Sequence, residues 1–116
     1  MVSNFIKLKG VRKIEPLKKS QNLINKDDTA LIILDMQEKL TSIIPGKEII
    51  LWNIKKLIDT FRIFKMNIYI TEQNPQKLGK TIDLFTTEDS YCFYSKMDFS
   101  CSNCRGLIRD LQKNGI

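Results

Sequence analysis

Three apolar runs in this chain each end in polar side chains able to handle protons. Ala30-Leu31-Ile32-Ile33-Leu34 runs into Asp35, Ile68-Tyr69-Ile70-Thr71 into Glu72 and Gln73, and Tyr91-Cys92-Phe93-Tyr94-Ser95 into Lys96. Runs without polar alternation suit strands buried on both faces of a parallel sheet, and parallel strands deliver their C-terminal ends to one edge. Asp35 and Lys96 then share a crevice if the fold brings the first and third strands near each other. There the carboxylate can take a proton from a nucleophile while the ammonium favours the resulting anion. A turn-forming or helix-capping role accounts for Asp35 equally well on the first run alone.

The segments between these runs read as the elements that would position them. Lys47 to Met66 carries Ile50, Ile54, Leu57, Ile58, Phe61 and Phe64 at helical spacing, with Glu48 and Lys65 complementing the macrodipole and Asn67 supporting a left-handed cap. Trp52, Phe61 and Phe64 are expected in the core. Strand, helix, strand makes a βαβ unit with a right-handed crossover. Met36 to Ile44 reads as a helical turn or loop closed by Pro45-Gly46, Asn74 to Lys80 as a loop, and Thr81 to Glu88 as a short helix or turn. A last helix is capped by Ser102 or Asn103, carries Leu107, Ile108 and Leu111 as its stripe, and stops at Lys113-Asn114-Gly115; Ile116 would then open a fourth strand.

Charge and composition narrow the function classes. The chain has 116 residues and a formal net charge of +6, a length that holds one domain at most. The excess lies entirely in residues 1–26, where Lys7, Lys9, Arg12, Lys13, Lys18, Lys19 and Lys26 face only Glu15, while residues 27–116 are neutral. We therefore divide the chain into a basic N-terminal extension, 1–26, and a body, 27–116. Phe5 is the one aromatic in the extension, against a nucleic-acid role, and the extension is poor in the Ser and Arg of a transit peptide. No apolar stretch is long enough to span a bilayer. There is no internal repeat and no low-complexity tract beyond the basic arm. Three cysteines without an export signal fit a reducing cytoplasm. Cys92, within a strand, is expected to behave as a small buried hydrophobe. Cys101-x-x-Cys104 has the spacing of redox and zinc motifs and flanks a helix start, which also keeps a nucleophilic role open. With no second cysteine pair and no His in the chain, no metal site is expected.

LIILDMQEKL, then YITEQNPQKLGKTI, then SKMDFSCSN, in this order, resemble the isochorismatase-like family of cysteine hydrolases, and within it the isochorismatase domain-containing branch. The resemblance covers about residues 27–116. It implies an α/β, three-layer, Rossmann-like fold with a mostly parallel sheet, incomplete here with about three strands. It also implies an Asp-Lys-Cys triad in which Asp35 and Lys96 fall on the family's aspartate and lysine. Gln37 of the LDMQ motif, Glu72, Gln73 and Ser100 are the expected substrate contacts, although a polar strand end accounts for Glu72 and Gln73, and helix capping for Ser100. A small amide- or ester-like substrate is implied, with no cofactor. Homo-oligomers are common in the family, so a non-catalytic binding or oligomerisation module is the alternative. The family's nucleophilic cysteine follows a segment like Asn114-Gly115-Ile116, and the expectation is that this chain ends before it and is inactive as it stands. The Asp-His-His metal site of nicotinamidase-like relatives has no counterpart in a chain without His.

Overall fold

The computed structural model describes residue 20, residues 23–83 and residues 91–116. In chain order the elements are β1 (Leu31–Leu34), α1 (Glu38–Ser42), α2 (Lys47–Ile63), β2 (Ile68–Gln73), α3 (Pro75–Leu78), β3 (Cys92–Lys96) and α4 (Arg105–Lys113). The N-terminal extension, apart from residue 20 and residues 23–26, lies outside the described residues, as does the expected turn or helix up to Glu88 from residue 84 onward. No described helix is long and apolar enough to cross a membrane.

The three strands form one parallel sheet in the order β1-β2-β3. β2 is central and carries the most buried run, with Ile70 and Thr71 fully buried. Its β-branched and aromatic residues pack on both faces, as a central parallel strand requires. On one face Ile33, Ile68 and Ile70 meet Ile58 and Phe61 of α2. On the other, Tyr69 meets Cys104 and Leu107 at the start of α4. The result is an α/β/α sandwich with α2 and α4 as its outer layers.

Several expectations change once the strand order is known. β1 is not buried on both faces: Ile32 and Leu34 are 37% and 54% exposed, because among the described residues β1 lies at the edge of the sheet and α4 covers β2 and β3 instead. Cys92, expected inside, is exposed at the start of β3. Trp52 and Phe64 are exposed as well, and only Phe61 of that trio joins the core, since α2 buries the stripe centred on Ile54, Ile58 and Phe61.

Element ends shift for local reasons. α2 stops at Ile63, and Lys65 rather than Asn67 takes the left-handed conformation, at φ 55°. The loop after β2 contains one helical turn, α3, with Pro75 at its start, where a missing N–H costs nothing. α4 begins after Cys104, not after Ser102 or Asn103. At its other end Gly115, at φ 74°, closes a Schellman motif. The Ile116 N–H returns to the Leu111 carbonyl and the Gly115 N–H to that of Gln112. Ile116 thus finishes α4 and lies in no strand.

Candidate active site

Asp35 is the first residue after β1 and Lys96 the last of β3, so the central strand separates them. Their side chains meet across its end: Lys96 Nζ donates to Asp35 Oδ2 at 2.7 Å. The lysine side chain is 3% exposed and the aspartate 18%. An ammonium carries three donors, and all three are used. The other two go to the carbonyls of Asp98 and Phe99, each at 3.0 Å. A charge this buried is tolerable only with such complete pairing.

The carboxylate is held as firmly. Its Oδ1 accepts from Thr71 Oγ1 at 2.7 Å, and the Asp35 N–H donates to the Thr71 carbonyl at 3.1 Å. Asp35 itself sits at φ 51°, in the left-handed region that non-glycine residues rarely occupy. This conformation turns the chain sharply after β1 and aims the carboxylate back over β2 rather than out to solvent. Thr71 was missed by sequence reasoning, which took it for a strand-forming residue. The sequence offers no signal for it, since its hydroxyl matters only through the register that pairs it with Leu34, one residue before the acid.

Gln37 is fully buried, and its amide clamps two chain segments together. Nε2 donates to the carbonyls of Gln73 and Gly79, at 3.0 and 2.6 Å, and Oε1 accepts the Gln73 N–H at 2.8 Å. Glu72 Oε1 accepts both the N–H and the hydroxyl of Thr81, at 2.7 and 2.8 Å. Together they pin the segment after β2 across the end of the sheet. Gln73 lies beside Lys96 in register, and its amide reaches the Met97 carbonyl at 3.4 Å. Ser100 is exposed and bonds within its own turn, to the hydroxyl and N–H of Ser102. It does not touch the Asp35–Lys96 pair.

A cavity of about 480 Å³ opens between β3, the turn after it and the start of α4, with Lys96, Asp98, Ser100 and Cys104 among its walls. Asp35 is not among them. No thiol is hydrogen-bonded to Asp35 or Lys96 among the described residues. Nor do three His, Cys, Asp or Glu side chains come together there as a metal site would need.

With this geometry in view, the comparisons with known proteins are specific. The model of the isochorismatase domain matches residues 29–112. The chain belongs to the isochorismatase-domain family. The match contains β1, β2, β3 and nearly all of α4, and therefore both members of the pair. Among solved structures, the MAR1 ribonuclease from Caenorhabditis elegans is similar at 32% identity and a TM-score of 0.65, over 78% of this chain. This isochorismatase-domain chain spans 47% of that protein's length. A comparison with curated proteins finds no match.

Proposed function

We propose that the chain carries the Asp-Lys half of an isochorismatase-like cysteine hydrolase site. The observation that supports this most strongly is the buried Lys96–Asp35 contact of 2.7 Å, set at the sheet edge where parallel α/β folds bind ligands. In this reading Asp35 accepts the proton of an attacking thiol, and Lys96 fixes the carboxylate in place and stabilises the thiolate that results. The thiol adds to the carbonyl of a small amide- or ester-like substrate, the leaving group departs, and water hydrolyses the thioester. Thr71 orients the base.

In this reading the nucleophile comes from outside the described residues, since both oxygens of Asp35 are taken up by Thr71 and Lys96 and no thiol among the described residues is hydrogen-bonded to either member of the pair. The chain by itself is then inactive. A panel of amides and esters, with RNA as a further arm, tests this with the purified protein and its Asp35→Asn variant. No Asp35-dependent turnover is expected. Amide or ester turnover lost in the variant would overturn the inactivity. Asp35-dependent RNA cleavage would overturn the small-substrate reading, which rests on the likeness to the isochorismatase-like hydrolases; residues 27–116 carry no net charge to attract a polyanion.

A second reading is an oligomerisation module, favoured by the edge of β1, unpaired among the described residues, and the exposed Ile32 and Leu34 beside it. Uncovered edges pair readily with another copy. Light scattering giving a dimer or larger supports it, and a folded monomer at high concentration rules it out. Free thiols throughout fit the cytoplasm.

A further inference from the structure

The turn between β3 and α4 holds two free cysteines, Cys101 and Cys104. The Cys104 N–H donates to the Cys101 carbonyl at 2.9 Å. An i to i+3 bond of this kind defines a β-turn, whose end Cα atoms lie within about 7 Å. Disulfides join Cα atoms roughly 4.4–6.8 Å apart, so the backbone already has the right span. Both residues also pack into one apolar cluster, with Tyr69 and Leu107, on the α4 face of the sheet. Cys101 is half-buried and Cys104 buried, and Cys104 lines the cavity beside α4. The third cysteine, Cys92, begins β3 at the far end of the sheet. A five-residue strand rising about 3.3 Å per residue keeps it away from the other two.

The same turn cradles Lys96. Asp98 and Phe99 supply two of the ammonium's three acceptors, and Asn103 Nδ2 fastens Asp98 Oδ2 at 2.8 Å. A covalent link from Cys101 to Cys104 would staple this cradle just ahead of α4.

We propose that Cys101 and Cys104 form a reversible redox pair, oxidised by a small-molecule disulfide of the glutathione type, and that its closure braces the turn holding Lys96. This is independent of the hydrolytic reading. Cys101, the less buried, gives its proton to solvent and attacks one sulfur of the small disulfide. A mixed disulfide forms, the small S–S bond breaks, and the departing thiolate takes up a proton. Cys104 then loses its proton and attacks Cys101 Sγ. The Cys101–Cys104 bond forms as the second small thiol leaves. The protein gives up two electrons and two protons, and the small disulfide receives both.

Oxidised glutathione is added to the full chain, remaining thiols are alkylated, and the products are mapped by mass spectrometry. Cys92, exposed and without a resolving thiol, should be alkylated or carry a glutathione adduct, whereas Cys101 and Cys104 should be protected without an adduct until a reductant is added, their peptide lighter by two hydrogen atoms. Cys104→Ser should instead keep a lasting glutathione adduct on Cys101. Alkylation of both turn cysteines in the treated wild-type protein, a persistent adduct on either of them, or a disulfide joining either of them to Cys92 would overturn the pair. Amide hydrogen exchange over residues 98–104 should slow on oxidation, and unchanged or faster exchange would overturn the bracing.

Discussion

Lys96 and Asp35 meet across the end of the central strand, 2.7 Å apart, although one ends β3 and the other follows β1. The lysine has no donor to spare and the aspartate bonds through both its oxygens. A pair so fully committed is preorganised: its geometry does not have to be assembled when a nucleophile arrives.

Removing the ammonium should be costly. Lys96→Met leaves the Asp35 carboxylate and the Asp98 and Phe99 carbonyls without their shared donor, and breaking a buried pair in this way costs about 3–5 kcal/mol. The Asp35→Asn, Lys96→Met double variant should lose less than the two single losses combined, because the second change removes what the first left unpaired. Urea unfolding of the four proteins provides the comparison.

Thr71→Val keeps the shape of the central strand and deletes the hydroxyl that holds Asp35 Oδ1. Leaving that oxygen short of a donor should cost about 1–3 kcal/mol, while Thr71→Ser should restore most of it. Equal stability of the valine and wild-type proteins would show that Thr71 does not hold the carboxylate.

Gln37→Leu should loosen the segment after β2 rather than the sheet. The Gln73 N–H loses the acceptor Gln37 Oε1, so its exchange with solvent should accelerate, while that of Ile70 is unchanged. Acceleration at both positions would mean a general loss of fold.

On the other side of the sheet the Tyr94 hydroxyl donates to Asp110 Oδ2 at 2.6 Å. Burial, and then Asp110, push the Tyr94 hydroxyl well above the usual tyrosine range. In the unfolded chain it ionises near about 10, so its stabilisation is complete below that pH and is lost as pH rises beyond it. The hydrogen bond from Tyr94 holds the Asp110 carboxyl below the usual range. Its stabilisation is present above about 3.9 and disappears as pH falls toward the folded value. Tyr94→Phe should therefore unfold at a higher pH than the wild type in an acid titration. Tyrosinate absorbance in the wild type should show Tyr94 ionising only with alkaline unfolding.

Much of this was legible because strong local patterns agree with the fold. The apolar runs at β1, β2 and β3 and the stripes of α2 and α4 each need a sheet or helix face to bury, and parallel pairing then gathers Asp35 and Lys96 at one edge. Strand order was not legible, and with it went the burial of Ile32, Leu34 and Cys92, since a run reads the same at an edge as at the centre. The carbonyls of Asp98 and Phe99 have no signature either, because any residue supplies one. Gln37 carried a motif, but its buried amide serves the backbone of Gln73 and Gly79. Thr71 lay hidden in a run where a threonine suits a strand for its shape alone.

The claim at the centre of this account is that Asp35, held by Lys96 and Thr71, can accept a proton from a thiol. An activated ester offered to the purified chain with and without a small added thiol tests it directly. Thiol-dependent cleavage should be faster with the chain than in buffer, and the gain should vanish in Asp35→Asn of unchanged circular dichroism. Cleavage equally fast in wild-type and variant proteins would contradict the assignment of Asp35 as the base.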